Sequence, residues 1–212
     1  YLLKTDIPII SEENKQADYS TRKAWSRCWI VDPLDGTKEF VKRNGEFTVN
    51  IALVEDGIPQ LGVIYVPERK VLYFSNNKER QAYKVTLDEH QITSAQIENA
   101  IAITPAENSK NTTIRLVGSR SHMNDDTKNF IINLETEGKA VDVVSAGSSL
   151  KFCLVAEGKA DVYPRFAPTM EWDTAAGQSI CEAVGVKVIN KETGEPLLYN
   201  KENLLNPYFM VS

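Results

Sequence analysis

The chain has 212 residues, of which 42% are hydrophobic, and a formal net charge of −5 at pH 7. A chain of this length and composition can bury one sizeable core or two small lobes, which excludes disordered and fibrous proteins. The negative net charge argues against a broad basic surface, so we expect no nucleic-acid polymer as a partner.

The first half of the chain predicts an α+β lobe over residues 1–84, with an antiparallel sheet as its core. Alternating apolar and β-branched residues, bounded by turn residues, predict strands at 7–11, 29–31, 47–54, 61–66 and 71–74. The dipeptide Asp56-Gly57 predicts the hairpin turn between the third and fourth of these strands. A short helix is predicted over 37–43, because Asn44-Gly45 then ends it.

The second half predicts an α/β lobe over residues 114–212. Residues 85–113 are polar and are interpreted as an irregular connection between the lobes. Strands and helices then alternate, with strands predicted at 114–118, 140–144, 160–163 and 186–189 and helices at 127–134, 148–156 and 173–184. This alternation, after the antiparallel sheet of the first half, predicts a mixed α+β and α/β fold.

Three cysteines occur at wide spacing, each in an apolar stretch: Cys28, Cys153 and Cys181. They favour buried, reduced thiols and a cytoplasmic protein, with peripheral association with the inner membrane left open. Apolar runs are too short to span a bilayer, and the first residues lack a charged-then-apolar secretion signal. We therefore expect neither a transmembrane segment nor export.

The segment 32–37, Asp-Pro-Leu-Asp-Gly-Thr, is the strongest chemical signal in the sequence. Pro33 stiffens the chain between Asp32 and Asp35, so both carboxylates and the Leu34 carbonyl oxygen are predicted to point toward one place. Rigidly held oxygen ligands suit Mg²⁺. Without a cation, two carboxylates so close repel each other, and one tends to bind a proton. The alternative is an ordinary turn with Asp32 as a helix cap.

Gly36 and Thr37 are predicted to begin the helix that follows this segment. Backbone N–H groups at a helix N-terminus form an anion site, here for a phosphate that also touches the metal. The Thr37 hydroxyl is a candidate for orienting a water molecule.

Two further acidic positions are candidates that are weak when taken singly. Asp173, in the string Trp-Asp-Thr-Ala-Ala-Gly over 172–177, precedes small residues that let a helix pack tightly. Aspartate is also a common helix N-cap, which is the alternative here. Glu12 follows the first predicted strand beside Glu13, where a solvated acidic turn is the alternative.

In this order, Glu-Glu after a strand, Asp-Pro-Leu-Asp-Gly-Thr and Trp-Asp-Thr-Ala-Ala-Gly resemble the inositol monophosphatase superfamily over essentially the whole chain. The resemblance implies a layered αβαβα sandwich and more than one Mg²⁺ ion. The implied metal ligands are Glu12, Asp32, the Leu34 carbonyl, Asp35 and Asp173. Catalytic roles are implied for Glu12, Asp35 and Thr37, and a substrate site is implied around these groups, with Gly36 and Thr37 at the scissile phosphate. The implied nucleophile is a metal-activated water, so no side chain becomes phosphorylated.

Two longer strings, 35–50 and 147–153, are similar to those of bacterial 3′(2′),5′-bisphosphate nucleotidases. This implies hydrolysis of 3′-phosphoadenosine 5′-phosphate, a by-product of sulfate assimilation, to AMP and phosphate, with inhibition by lithium. A phosphate that stays on the product needs its own counter-charges. By resemblance, the residues that bind the nucleotide and this phosphate are His122, Ser148, Lys151 and Arg165. A surface charge or a helix cap is the alternative for each.

Members of this superfamily normally begin with a helical segment that carries a Thr-x-x-Asp element. Its aspartate helps to bind metal and to activate water. Because no such element precedes Tyr1 in this sequence, we expect the N-terminal helices to be missing and the site to be incomplete.

Other functions are alternatives at this point. A phosphatase of inositol 1-phosphate or fructose 1,6-bisphosphate would share the metal site and differ in the pocket. A catalytically incomplete chain would bind metal and nucleotide without turnover. Ser148 and Lys151 match the Ser-x-x-Lys pattern of acyl-transfer enzymes, although the other motifs of that class are absent. A homodimer is kept as a candidate assembly.

Overall fold

The computed structural model describes residues 5–107, 113–118 and 123–212. The strands are β1 (Ile9–Ser11), β2 (Arg27–Asp35), β3 (Thr48–Glu55), β4 (Ile58–Val66), β5 (Val71–Asn76), β6 (Gln81–Thr86), β7 (Ile101–Ala102), β8 (Thr113–Gly118), β9 (Ala140–Ser145), β10 (Tyr163–Arg165), β11 (Val188–Asn190) and β12 (Phe209–Val211). The helices are α1 (Tyr19–Arg22), α2 (Thr37–Lys42), α3 (Ser94–Glu98), α4 (Asp125–Thr136), α5 (Leu150–Ala156) and α6 (Ala175–Ala183). Short 3₁₀ turns lie at Pro67–Arg69 and Glu171–Asp173.

Within the described residues, the first half of the chain forms one seven-stranded sheet with its strands in sequence order. β1 and β2 are parallel, and each later pair of neighbours is antiparallel. The predicted hairpin is confirmed, because β3 and β4 pair and Asp56 and Gly57 between them both have a positive φ. The prediction missed β6 and β7, since this edge of the sheet is built largely from polar or exposed residues.

Strand β2 is longer than predicted and contains the acidic segment itself. Cys28, Ile30 and Asp32 alternate along its core-facing side and are all buried. A regular strand would place positions 32 and 35 on opposite faces. The pairing with β3 shifts in register between Asp32 and Asp35, where Pro33 has no N–H to donate. This irregularity allows both carboxylates to approach the same site.

The second half contributes two smaller sheets and the helices that pack on the large one. β8 and β9 are parallel, while β10, β12 and β11 form an antiparallel sheet. Helix α6 packs against β3, β4 and β5 on one side and against α5 on the other. The predicted mixed fold is confirmed as an α+β sandwich of several sheets and few helices.

Buried apolar residues from both halves of the chain form one continuous core. In α6, Gly177 lies against α5, and a Cβ at this position would be 2.4 Å from the Phe152 ring. The small residues after Asp173 therefore allow the close helix packing that the sequence predicted. The division into lobes at 1–84 and 114–212 stays a prediction.

The two helices beside the acidic segment begin later than predicted. The helix predicted over 148–156 begins at Leu150, because Ser148 has a φ of 46° and cannot continue a helix. The helix predicted from Asp173 begins at Ala175, because a 3₁₀ turn comes first.

The predicted strand at 160–163 and the connection at 85–113 also differ from the structure. The strand lies at Tyr163–Arg165, because the Asp161 side chain before it bonds to the main chain and guanidinium of β8. The connection contains α3 and β7, which ends the large sheet. None of the helices in the described residues is long and apolar enough to cross a membrane.

Candidate metal centre

Three carboxylates from distant parts of the chain converge at the end of β2. Asp32, Asp35 and Asp173 each offer one oxygen, and these atoms all lie within 4.8 Å of one another. The first two belong to β2, and the third ends the 3₁₀ turn before α6. Three hard oxygen ligands at this spacing suit a divalent cation.

Asp32 is the most buried of the three, with 1% of its surface exposed. Its Oδ1 accepts a hydrogen bond from the Leu34 N–H at 2.9 Å, whereas its buried Oδ2 has no hydrogen-bond partner in the described part of the chain. Burial, and then the charge of Asp35, raises the pKa of Asp32 to about 8. A buried carboxylate oxygen without a donor, beside two other carboxylates, fits a cation as its missing partner.

Asp173 is fixed by its own turn and does not cap α6. Its Oδ2 accepts a hydrogen bond from the Met170 N–H at 2.7 Å. Burial, and then the charge of Asp35, raises the pKa of Asp173 to about 7. The metal-free cluster thus favours protons, and a divalent cation that binds there must displace them.

Asp35 is held by a buried polar network that the sequence analysis missed. Its Oδ2 accepts hydrogen bonds from the Ser149 N–H at 2.7 Å and the Ser149 hydroxyl at 2.9 Å. The Asn50 amide of β3 is a further donor at 3.4 Å, and the Thr48 hydroxyl lies 3.3 Å from this oxygen and 3.0 Å from the Asn50 Oδ1, so its single proton serves one of the two. One signal in the sequence could have revealed this network. Thr48 and Asn50 occupy two successive inward-facing positions of β3, where apolar residues are expected.

The other two predicted ligands lie next to this cluster. Leu34 is half-buried between the two aspartates of β2. Glu12 follows β1, which runs parallel to β2, and its side chain is exposed and outside the group of three carboxylates. Its charge nevertheless contributes to the raised pKa values of Asp32 and Asp173. Metal ligation by Glu12 and by the Leu34 carbonyl stays a prediction.

Gly36 joins the cluster to α2 and adopts a left-handed conformation with a φ of 86°. A Cβ at this position would lie 2.0 Å from the Ser148 hydroxyl oxygen. That hydroxyl donates to the Asp35 carbonyl at 2.9 Å, so the glycine permits this contact between two distant segments. Thr37 is exposed at the first position of α2, and its catalytic role stays a prediction.

A cavity of about 510 Å³ adjoins the carboxylates. Its lining combines acidic, basic and hydroxyl groups, among them Asp35, Asp173, Ser148, Lys151 and Arg165. The Arg165 Nε is buried and has no hydrogen-bond partner among the described residues. An unpaired guanidinium nitrogen beside a cavity suits an anionic ligand.

Lys151 is buried in the wall of this cavity. Its Nζ donates to the Ser148 carbonyl at 2.7 Å and lies 5.5 Å from the centre of the Tyr163 ring. Because Lys151 bonds to the Ser148 carbonyl while the Ser148 hydroxyl donates to Asp35, the geometry does not support an acyl-transfer pair. The predicted ligand His122 lies outside the described residues.

Three comparisons relate this chain to known proteins. Residues 4–208 match the sequence profile of the inositol monophosphatase family. The 3′(2′),5′-bisphosphate nucleotidase CysQ of Salmonella typhimurium is 47% identical over 211 residues, which cover 99% of this chain and 77% of that protein. The crystal structure of CysQ from Bacteroides thetaiotaomicron is similar at a TM-score of 0.88 and 51% identity, over 99% of this chain and 78% of that one. Inositol monophosphatase II from Staphylococcus aureus, at a TM-score of 0.73 and 23% identity over 97% and 69% of the two chains, shares the fold.

Proposed function

This chain belongs to the inositol monophosphatase family, and we propose that it is a 3′(2′),5′-bisphosphate nucleotidase that hydrolyses 3′-phosphoadenosine 5′-phosphate to AMP and phosphate. The observation that carries this proposal is a single cavity whose lining includes two carboxylates of the cluster, Asp35 and Asp173, together with Lys151 and Arg165. The carboxylates suit a metal at the phosphate that is removed, and the cations suit the phosphate that is retained. The identity of 47% to a relative with this activity in its name supports the same substrate.

We propose Mg²⁺ as the metal, in a site for more than one ion, with ligands from Glu12, Asp32, the Leu34 carbonyl, Asp35 and Asp173. All of these donors are hard oxygen atoms, the ligand type that Mg²⁺ prefers. When bound, the ions supply the positive charge that activates a water molecule and stabilises the leaving oxygen. The Thr37 hydroxyl orients this water, and the main chain at Gly36 and Thr37 binds the scissile phosphate.

We propose that Ser148, Lys151 and Arg165 bind the phosphate that stays on the product, with His122 as a further predicted contact. The Lys151 ammonium has three protons, and its hydrogen-bond partners among the described residues are the Ser148 carbonyl at 2.7 Å and the Ala146 carbonyl at 3.5 Å. One proton is therefore left for a ligand. Arg165 lines the same cavity, and its buried Nε has no partner among the described residues, so its guanidinium has donors left for a phosphate.

The test of this function is phosphate release, with Mg²⁺, from 3′-phosphoadenosine 5′-phosphate, inositol 1-phosphate and fructose 1,6-bisphosphate. We expect the highest kcat/KM for the nucleotide, by at least about tenfold over inositol 1-phosphate, which lacks a second phosphate. A chelator should abolish the activity, and Mg²⁺ should restore it. A higher kcat/KM for inositol 1-phosphate or fructose 1,6-bisphosphate would mean that the protein has another activity of the family. Tight nucleotide binding without phosphate release would support a non-catalytic binding protein instead.

The KM for the bisphosphate is expected to rise as the pH passes through about 8. Burial lowers the pKa of Lys151 to about 8, although the charge of Asp35 opposes this shift. The ammonium is therefore charged below this pH and neutral above it, where it no longer attracts the retained phosphate. KM should increase about tenfold between pH 7 and pH 9, while kcat changes less.

The matched variants are Lys151→Met and Lys139→Met, the second at an exposed position of the chain. Lys151→Met should have a raised KM already at pH 7, without the further rise above pH 8, whereas Lys139→Met should behave like the parent. A Lys151→Met protein with unchanged KM and a lowered kcat would show that this side chain does not bind the retained phosphate.

We also propose that the protein works in the cytoplasm. The cysteines Cys28, Cys153 and Cys181 are free and buried, which suits a reducing compartment. Inhibition by lithium, a role in sulfate assimilation and a homodimeric assembly stay predictions of the family resemblance.

A further inference from the structure

Ser149 contacts both chain segments that supply the carboxylate cluster. It lies directly before α5, and only 2% of its surface is exposed. Its N–H and hydroxyl lie 2.7 and 2.9 Å from the Oδ2 of Asp35, and the hydroxyl also lies 2.8 Å from the main-chain carbonyl of Asp173. The Asn50 amide donates to the same hydroxyl at 2.9 Å, which fixes its position from a third side.

These contacts leave Asp35 with one oxygen for a ligand. The side-chain carboxylate of Asp35 receives its hydrogen bonds from the described residues on Oδ2, from Thr48, Asn50 and Ser149. The Oδ1 of Asp35 is therefore the oxygen that remains for a cation in the cluster, and the hydrogen bonds to Oδ2 keep this carboxylate from rotating freely. Mg²⁺ demands near-ideal ligand geometry, so a fixed direction of this oxygen favours binding.

We propose that Ser149 is a positioning residue of the metal centre, which fixes the rotamer of Asp35 and its distance from Asp173. A hydroxyl has one proton, so it donates to Asp35 or to the Asp173 carbonyl, while the Ser149 N–H keeps Asp35 bound in either case. The inference rests on the proposed metal-dependent function, but it concerns a residue outside the predicted ligand and nucleotide-binding positions.

The test compares Ser149→Ala with Ser179→Ala, since both remove a fully enclosed hydroxyl. Ser179 is 0% exposed in α6, and its hydroxyl bonds to Ser75 at 2.9 Å and to Asn77 at 3.2 Å, away from the carboxylates. Mn²⁺ affinity, measured by electron paramagnetic resonance without substrate, is the main readout. We expect Ser149→Ala to weaken Mn²⁺ binding about tenfold and Ser179→Ala to leave it within about twofold of the parent.

Kinetics with saturating Mg²⁺ provide a second readout. Ser149→Ala should lower kcat about tenfold and leave the KM for the bisphosphate within about twofold, because it misplaces a metal ligand and not a nucleotide contact. Thermal unfolding without metal shows whether each variant is folded. Ser149→Cys, with a weak donor of similar size, should bind Mn²⁺ with intermediate affinity and serves if the alanine variant does not fold.

Equal Mn²⁺ affinity of Ser149→Ala and the parent would overturn the proposal, and so would an equal loss in Ser179→Ala. A parent protein that binds no Mn²⁺ would overturn it as well. A parent that binds Mn²⁺ but does not hydrolyse the bisphosphate would refute the proposed function alone, because the Mn²⁺ affinities would still decide the role of Ser149.

Discussion

Asp32→Asn is expected to lower kcat by about a thousandfold or more while it stabilises the metal-free protein. Asparagine has nearly the size of aspartate but brings no negative charge to the ion, so the fold should survive and the metal-dependent step should not. Near neutral pH and without metal, three carboxyl groups lie close together, and Asp32, whose Oδ2 is buried without a donor among the described residues, is largely protonated because its pKa is about 8. Activity therefore requires the ionised carboxylate of Asp32, although the same charge destabilises the metal-free fold.

The stability change follows from the pKa of Asp32, which burial and then the charge of Asp35 raise from 3.8 to about 8. The folded protein binds this proton more tightly than the unfolded chain does. The contribution of the group to the free energy of unfolding is fully present below pH 3.8 and is lost as the pH rises to about 8. Asparagine does not ionise, so the variant should be more stable than the parent at pH 8, by about 1 to 3 kcal/mol.

Urea unfolding with a chelator, at pH 6 and at pH 8, measures this gain, which should be larger at pH 8. Mg²⁺ should then reverse the order of stability, because it stabilises the protein with the complete ligand set. Glu135→Gln, at an exposed position of α4, is the control and should match the parent in kcat and stability. Turnover of Asp32→Asn within tenfold of the parent would refute the metal site.

Gly36→Ala is expected to lower kcat about a hundredfold, the second largest effect. The new Cβ would lie 2.0 Å from the Ser148 hydroxyl oxygen, so this hydroxyl must rotate away and lose its hydrogen bond to the Asp35 carbonyl, or the end of β2 must move. A displacement of about 1 Å beside a catalytic group is enough for a loss of this size. The variant also pays about 1 to 2 kcal/mol for a left-handed alanine at a φ of 86°.

Gly194→Ala separates the effect of backbone strain from the effect of the contact with Ser148. Gly194 has a φ of 73°, and a Cβ there would meet nothing within 4 Å. Both variants therefore strain the backbone, but only Gly36→Ala displaces a neighbour in the site. Urea unfolding should show a loss of stability in both, and kcat should fall in Gly36→Ala alone. An equal kcat in the two variants would mean that the contact with Ser148 does not matter for turnover.

Patterns that are local in sequence singled out Asp32 and Asp35, and the order of motifs along the chain added Asp173, the third carboxylate of the cluster. Carboxylates at positions 32 and 35 with a proline between them can be recognised without knowing what surrounds them, whereas Asp173 ahead of small residues is weak evidence by itself. The hairpin of β3 and β4 was predicted for the same reason, since alternation with a period of two reports which side of a strand is buried. The mixed fold class likewise followed from the order of such segments.

Boundaries and supporting residues were harder to predict. The sequence suggested a turn at 32–37, whereas β2 continues through Asp35 with a shift in register against β3. Thr48 and Asn50 read as ordinary strand residues, and Ser149 as part of a helix. Each becomes a functional candidate only because Asp35 lies beside it in the folded chain.

The amino-acid order thus specifies which groups can bind a metal, because charge, donor type and backbone stiffness belong to the residues themselves. It does not specify how these groups meet, because Asp32 and Asp173 approach each other only when α6 packs against the large sheet. Their raised pKa values depend on the same packing, since burial removes water from each carboxylate and brings the charge of Asp35 close. Distances and solvent exclusion between segments far apart in the chain are properties of the packed core, and local sequence patterns do not contain them.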